Sequence, residues 1–293
     1  MYIVGILNDE NMAHVILKEL AEREIKAHYF YSEIEKSFVL AVEEEKFLPI
    51  AIDIYRVRLG FKKPIEIDAE WVKIKAIPNG TWTINIIILC VVIYVLSFFS
   101  IGPTLYSLLK IDESESGFLP LLTQGQVWRI ITPIFLHMSI MHILFNMLWF
   151  KDLGNLFEFK FGRNYFLLFI FLSGLFSNLF QYIFTGPHFG GMSGVLYGLL
   201  GFLWVKQSID QDFEYALPKR DIYLMIGWFF LCLFGIFPKI ANFAHAGGAF
   251  VGICWGVFEK FKYDGKHLKY LGYGIGLIVL TICVEHFGWQ LKY

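Results

Sequence analysis

The sequence predicts an all-α polytopic membrane protein with a six-helix core, a seventh C-terminal transmembrane helix and a small N-terminal α/β soluble domain. Of its 293 residues, 56% are hydrophobic and 17% are charged, against about 45–50% and about 25% in soluble domains. Residues 1–80 carry charges at ordinary density, whereas residues 84–260 are apolar runs separated by short polar clusters. We therefore divide the chain into an N-terminal domain (1–60), a linker (61–83), a six-span core (84–260) and a C-terminal segment (261–293).

The N-terminal domain has the pattern of a βαββα unit. YIVGIL is a short β-like run, and DENMAHVILKELAERE places apolar residues at helical spacing after an Asp/Asn start. AHYFYS and SFVLAV predict a hairpin, and FLPIAIDIYRVRLG predicts a second helix with Pro49 in its first turn and Gly60 past its end. This domain contains no phosphate-binding loop and no cluster of metal ligands. We therefore expect a regulatory or docking module.

Seven apolar runs approach the roughly 20 residues that a helix needs to cross a bilayer. They lie near residues 84–103, 138–158, 165–185, 192–207, 222–238, 242–259 and 270–284. An amphipathic segment, 104–137, separates the first two. The last run is slightly short, and we expect a snorkelling Lys269 and the flanking His286, Phe287 and Trp289 to complete the span. Because the chain opens without a basic segment before an apolar stretch, we expect the first span to act as an uncleaved anchor.

The distribution of Lys and Arg between the loops predicts the orientation of these spans. If the N-terminal domain is cytoplasmic, the inner loops contain nine of these residues and the outer loops four. The nine are Lys160, Arg163, Lys206, Lys219, Arg220, Lys260, Lys262, Lys266 and Lys269, and the four are Lys110, Arg129, Lys239 and Lys292. This bias places Ser193 at the outer end of its span.

The net charge and the cysteines argue against several classes of protein. A net charge of −1 without a basic tail argues against nucleic-acid binding. The four cysteines lie in different apolar runs without a C-x-x-C spacing, which indicates buried hydrophobic residues and neither a zinc site nor a disulfide framework. They are Cys90, Cys232, Cys254 and Cys283.

A candidate nucleophile, Ser193, lies in the stretch FGGMSGVLYG at the start of an apolar run. Nucleophilic catalysis by serine needs a base within hydrogen-bond distance and donors for the developing oxyanion. His245 begins a run in which glycines recur every four residues, and the helix of Ser193 has a face of small residues too. Such faces let two helix backbones approach closely. We therefore expect Ser193 and His245 to meet at similar depth, with Tyr197 packed against the imidazole.

Two polar residues are candidate oxyanion donors. His142 and Asn146 are four residues apart, so they share one helix face, and the backbone N–H of Ser193 at a helix start is a third donor. No carboxylate lies between Asp221 and Glu259, and we expect no acid from elsewhere at this depth, which favours a Ser-His dyad over a triad. Of the other histidines, His137 is predicted to face elsewhere as a structural hydrogen-bonding group, and His188 to be solvated.

These motifs resemble those of the rhomboid intramembrane serine proteases. The resemblance rests on HMSIMHILFN, GMSGVLYG and ANFAHAGGAFVG with Trp128-Arg129 upstream, and it covers about residues 84–260. The N-terminal domain more loosely resembles the cytoplasmic domain of bacterial GlpG-type members. The resemblance implies Ser193 as the nucleophile and His245 as the base, with His142, Asn146 and the N–H of Ser193 as oxyanion donors. By the same resemblance, Trp128 and Arg129 match a membrane-embedded first loop, and Glu158 matches an acid near the inner end of the second span. Asn242 matches a polar position near the site.

The resemblance implies an intramembrane endopeptidase of the bacterial inner membrane, with its active site open to the outer side. The partners of such a protease would be membrane lipids and single-span transmembrane substrates that carry helix-breaking residues. The resemblance implies no cofactor and no metal.

Lys151 and Asp152 depart from the family pattern, because they fall well inside the second span. Two alternatives remain: a catalytically inactive relative that binds membrane clients, and a small-solute transporter, which predicts repeated halves that we do not find. The oligomeric state stays open.

Overall fold

The computed structural model describes residues 1–61, 68–111, 123–210, 212–236, 240–259 and 268–292. The chain divides into two compact units, Met1–Ile67 and Asp68–Tyr293. Each unit has a hydrophobic core of its own.

The N-terminal unit has the predicted βαββα order. Its elements are β1 (Tyr2–Leu7), α1 (Glu10–Glu22), β2 (Ala27–Ser32), β3 (Ser37–Val42) and α2 (Leu48–Arg58). The strands form an antiparallel sheet in the order β1-β3-β2. Asp9 caps α1 by accepting a 3.0 Å hydrogen bond from the backbone N–H of Asn11. Gly60 follows α2 with a positive φ of 75°, as expected of a residue that ends a helix.

Tyr55 joins α2 to the sheet. Its hydroxyl donates a 2.6 Å hydrogen bond to the carbonyl of Ile6 and accepts one of 3.2 Å from the N–H of the same residue. The Tyr55 ring lies where a side chain at Gly5 would stand, so a larger residue at Gly5 would push α2 off the strand. The core beneath α1 and α2 is built from residues of the predicted apolar positions, among them Ala13, Ile16 and Leu20.

The second unit is helical in its described residues apart from turns and loops. Its helices are α3 (Ala69–Lys75), α4 (Thr81–Leu96), α5 (Gly102–Leu109), α6 (Ile140–Phe161), α7 (Arg163–Thr185), α8 (Ser193–Ile209), α9 (Lys219–Leu233), α10 (Asn242–Glu259) and α11 (Leu268–Lys292). Two 3₁₀ turns, Val127–Ile130 and Thr132–Phe135, precede α6.

Several predicted boundaries in this unit are wrong. The first apolar helix ends at Leu96 and not at residue 103, because the chain turns after Ser97 and starts a new helix at Gly102-Pro103. In the predicted amphipathic segment 104–137, the described parts contain most of α5 and the two 3₁₀ turns, and residues 112–122 lie outside the described residues. α9 ends at Leu233, five residues before the predicted end.

Two helices of the described chain are long and apolar enough to cross a membrane, Arg163–Thr185 and the part Leu268–Glu285 of α11, and Thr81–Leu96 is a shorter apolar helix. The two long helices correspond to the predicted spans 165–185 and 270–284. The other predicted spans form helices of 15 to 18 residues or, in α6, a helix with charged residues within its apolar run. The count of six spans and the assignment of a seventh therefore stay predictions.

Part of the predicted linker belongs to the second unit. Trp71 and Ile74 of α3 are buried in the core of that unit. The Trp71 indole donates a hydrogen bond to the carboxylate of Asp221 at the start of α9, and Arg220 pairs with Asp68 at 2.9 Å. These contacts attach α3 to the first turn of α9.

The cysteine prediction holds for two of the four residues. Cys90 and Cys232 are buried, whereas Cys254 is partly exposed and Cys283 is exposed. The prediction is wrong for Cys283 because this residue lies on an outward face of α11, where the surrounding apolar residues are exposed too.

α8 and α10 pack with their backbones in contact. A side chain at Gly248 would overlap the carbonyl oxygen of Gly194, and one at Gly252 would overlap that of Gly198. Only residues without a side chain permit this approach. The close packing brings the starts of α8 and α10 side by side.

Candidate active site

Ser193 is the first residue of α8 and follows a glycine loop. Gly191 has a φ of 128°, which disfavours any residue with a side chain, and its N–H donates a 2.9 Å hydrogen bond to the carbonyl of Pro133. This loop therefore fixes how the chain enters α8 and where the Ser193 side chain begins.

The structure brings Ser193 and His245 together. The Nε2 atom of His245 lies 2.7 Å from the Oγ atom of Ser193, and His245 is 4% exposed. The ring of Tyr197 lies 4.7 Å from the imidazole, centroid to centroid, at a tilt of 34°. Tyr197 is itself held by a 2.9 Å hydrogen bond from its hydroxyl to the carbonyl of Met225 on α9. The imidazole is thus confined between Ser193 and a fixed aromatic ring.

The second ring nitrogen of His245 is not used in this arrangement. Its Nδ1 atom is buried and has no hydrogen-bond partner among the described residues. In a Ser-His-Asp triad this nitrogen donates to a carboxylate. The geometry is therefore that of a two-residue pair.

His142 borders the same small space as Ser193. A methyl group built on Gly191 would lie 2.6 Å from Nε2 of His142 and 3.8 Å from Oγ of Ser193, so both atoms face this glycine. Ser139 caps α6 by accepting a 3.2 Å hydrogen bond from the N–H of His142, which sets the first turn that carries the imidazole.

Asn146 is buried one turn further along α6. Its Nδ2 group donates a 2.8 Å hydrogen bond to the carbonyl of His142. One amide hydrogen is therefore used within the helix, and the amide carries a second.

The prediction that His137 points to another face than His142 is wrong. Their rings lie 5.0 Å apart in an edge-to-face arrangement, because α6 begins only at Ile140 and His137 precedes the helix. Nδ1 of His137 lies 3.3 Å from the carbonyl oxygen of Phe135. His188 is exposed in the loop before α8, as predicted.

Trp128 and Arg129 hold the end of α5. Arg129 is 5% exposed and donates hydrogen bonds to the carbonyls of Ser107 and Lys110, the latter at 3.1 Å. The Trp128 indole donates to the carbonyl of Leu108 at 3.2 Å. The last carbonyls of a helix lack partners within it and favour a cation. These two residues therefore stabilise the C-terminal end of α5.

Glu158 caps α4. Its carboxylate accepts hydrogen bonds from the backbone N–H groups of Trp82 and Thr83, at 3.1 and 2.8 Å, and from the Thr83 hydroxyl at 2.8 Å. Asn155, one turn earlier on α6, accepts from the N–H of Gly80 at 2.9 Å. A carboxylate at a helix N-terminus is favourable for both hydrogen bonding and the helix dipole. The role of Glu158 in this geometry is structural.

Asn242 lies at the start of α10 and has a partner that the sequence did not reveal. Its Nδ2 group donates to the carbonyl of Cys232 at 3.3 Å and to Oε1 of Glu285 on α11 at 2.7 Å. The expectation that no acid from elsewhere reaches this depth is therefore wrong. An acid inside an otherwise apolar run, as in TICVEHFGW, was the available signal.

Among the described residues, no three His, Cys, Asp or Glu side chains lie close enough to one another to hold a metal ion. The polar groups described around the Ser193 hydroxyl are instead the imidazoles of His245 and His142, with the Asn146 amide bonded to the backbone of His142. They are suited to proton transfer and hydrogen-bond donation.

A partly exposed serine at a helix start, within hydrogen-bond distance of a buried histidine from a neighbouring helix, is the arrangement of a nucleophile with its base. The second unit is thus a helical unit in which a serine hydroxyl and an imidazole are within hydrogen-bond distance of each other. Residues 124–260 match the family model described as Rhomboid domain. Proteins of this family are integral membrane proteins, which agrees with the apolar helices.

Relatives similar to this chain include the proteins named "Rhomboid protease GlpG" from Yersinia pseudotuberculosis serotype I (strain IP32953), Yersinia pestis (strain Pestoides F) and Yersinia enterocolitica serotype O:8. Each is 33% identical over 175 residues, which cover 59% of this chain. The same stretch is 61% of each relative's own length.

Proposed function

We propose that the protein is an intramembrane serine endopeptidase in which Ser193 is the nucleophile and His245 the base. The observation that carries this proposal is the 2.7 Å distance between His245 Nε2 and Ser193 Oγ inside a rhomboid domain. The distance lies within the range that proton transfer between a nucleophile and its base requires.

The reaction is acyl transfer to water. His245 takes the proton of the Ser193 hydroxyl as Oγ attacks the carbonyl carbon of the substrate, and the C=O becomes an oxyanion. The imidazolium then gives its proton to the leaving amine as the C–N bond breaks. A water molecule, deprotonated by His245, attacks the ester, and the released Ser193 oxygen regains a proton.

Three donors are proposed to hold the oxyanion. The N–H of Ser193 belongs to the first turn of α8, whose N–H groups have no partner within the helix. His142 faces the same space at Gly191, and the second hydrogen of the Asn146 amide completes the set. Donors of this kind act on charge that exists only in the transition state.

The proposed substrates are single-span transmembrane proteins with helix-breaking residues near the outer membrane face. A helical amide has its carbonyl hydrogen-bonded, so a substrate helix has to unwind locally before Ser193 reaches its carbonyl carbon. We base six spans with a seventh, and a cytoplasmic N-terminal domain, on the apolar runs and the loop charges. The bacterial inner membrane is proposed from the similarity to the GlpG relatives. We propose that this domain has a regulatory or docking role.

Labelling with a fluorophosphonate tests the proposal, because only an activated serine reacts at a useful rate. We expect one label on the detergent-purified protein, at Ser193, and none on Ser193→Ala. Ser208→Ala is the matched control, since Ser208 lies on α8 too and is exposed. A folded wild-type protein that takes no label and cleaves no transmembrane peptide would contradict the protease assignment and leave client binding as the function.

A further inference from the structure

α11 lies outside the residues that match the rhomboid domain, yet it is a packed part of the second unit. A methyl group built on Gly274 would lie 3.0 Å from the Phe250 ring of α10, so the two helices approach closely there. The ring of Tyr273 stacks against Trp204 of α8 with centroids 6.1 Å apart. The helix therefore has a defined position against α8 and α10.

Near its other end, α11 contributes a carboxylate to the start of α10. Glu285 accepts the 2.7 Å hydrogen bond from Asn242, whose amide also donates to Cys232 of α9. Asn242 is 6% exposed and so joins three helices at a buried point. A hydrogen bond to a carboxylate is about twice as strong as one between neutral groups.

This contact acts on the turn that carries the catalytic base. Asn242 is the first residue of α10, and His245 follows three residues later, on the same side of the helix. α10 has no acidic residue in its own first turn. Glu285 supplies the negative charge that a helix N-terminus favours. From α7, Gln181 accepts a 2.9 Å hydrogen bond from the N–H of Ala244 in the same turn.

His245 has little else to fix its orientation. Its Nδ1 atom has no partner within the described part of the chain, so the imidazole depends on its packing against Tyr197 and on the position of its helix turn. A displacement of about 1 Å in a catalytic group can cost about 10²-fold in rate. Anchoring this turn therefore has a direct effect on the dyad.

We propose that Glu285 is a positioning residue, which through Asn242 holds the first turn of α10 and keeps His245 at hydrogen-bond distance from Ser193. The inference rests on the proposed function, because it assumes that the dyad is catalytic. The family match ends at residue 260, before α11 begins. The inference therefore gives α11 a part in the chemistry of the matched domain.

The experiment compares full-length variants in detergent and in liposomes. The measurements are the rate constant of fluorophosphonate labelling per titrated active site, kcat and KM for a transmembrane peptide, and the melting temperature. We expect Glu285→Ala to lower the labelling rate and kcat about tenfold with KM unchanged. Glu285→Gln keeps an acceptor oxygen and should recover part of the loss. Cys283→Ala is the control on the same helix, since Cys283 is exposed, and should match the wild type.

Combining Glu285→Ala with Asn242→Ala separates positioning from general stability. If Glu285 acts through Asn242, the double variant should be no slower than the slower single one, since the two residues act as a unit. The inference would be overturned if Glu285→Ala is labelled at the same rate per active site as Cys283→Ala. It would also be overturned if the effects of the two single variants multiply in the double variant. If Glu285→Ala does not fold, Asn242→Ala with the labelling rate of the wild type would overturn it equally, because this variant lacks the same hydrogen bond. Wild-type protein without label would overturn the proposed function itself, whereas a labelled wild type with an unaffected Glu285→Ala would overturn this inference alone.

Discussion

The two units of the chain are built on contacts of different range. In the N-terminal unit, β2 and β3 pair across a four-residue turn, and β1 joins the same sheet within 42 residues of the start. In the second unit, Ser193 and His245 are 52 positions apart, and Asn242 and Glu285 are 43 apart. The candidate site exists only where α6, α8 and α10 meet, with α11 supporting it.

This difference indicates which changes should reach the chemistry. A substitution that alters the close contact of α8 and α10 should change the rate of reaction. A substitution inside the N-terminal unit should change the stability of that unit and leave the rate as it is.

Removing either member of the proposed dyad should have the largest effect. We expect Ser193→Ala and His245→Ala each to abolish cleavage while the protein stays folded, because no third residue replaces either function. The double variant should be no worse than the single ones, as for groups that act as a unit. Cleavage of a fluorogenic transmembrane peptide in liposomes is the measurement, with thermal unfolding alongside. Substantial cleavage by Ser193→Ala would remove Ser193 from its role.

Gly248→Ala should come next. Its new methyl group would overlap the carbonyl of Gly194, so α8 and α10 have to separate. We expect a kcat about a hundredfold lower and a reduced melting temperature.

Gly227→Ala on α9 is the matched control, because a methyl group there meets no atom within 4 Å. It should leave kcat unchanged and slightly raise stability, as Gly to Ala does at a helix position without strain. Equal behaviour of the two glycine variants would show that the close approach of α8 and α10 does not set the rate.

Asn146→Ala should have a moderate effect. Loss of one oxyanion donor costs about 2.7–4 kcal/mol in a known serine protease. Here His142 and the Ser193 N–H remain, so we expect kcat to fall about ten- to a hundredfold with little change in KM. His142→Ala should do the same or worse. A rise in KM at constant kcat would assign Asn146 to substrate binding, and a collapsed melting temperature would make it structural.

Tyr55→Phe in the N-terminal unit should have the smallest effect on the chemistry. It removes the hydroxyl that bonds both backbone groups of Ile6, which should lower the free energy of unfolding of this unit by about 1 kcal/mol. Denaturant unfolding measures this loss, and the labelling rate of Ser193 should stay at the wild-type value. A lower labelling rate would show that the two units are coupled.

Local patterns in the sequence predicted much of the fold. The βαββα order follows from β-like runs, a helix-starting Asp9 and a Pro49 in a first turn, and each of these signals acts over a few residues. The boundaries of α10 follow in the same way from one apolar run. The end of α4 was missed, because a helix can stop inside an apolar run where the chain turns back on itself.

For the candidate site, the residue types and the close packing of α8 and α10 could be predicted from the sequence. Glycines recur at helical spacing on both helices, and this pattern predicts a close approach of the helices that brings Ser193 and His245 together. The tertiary structure alone decided that His137 lies beside His142 and that Glu285 bonds Asn242. Both are contacts for which no repeat or spacing exists along the chain, because they depend on where one helix begins and how another packs against it.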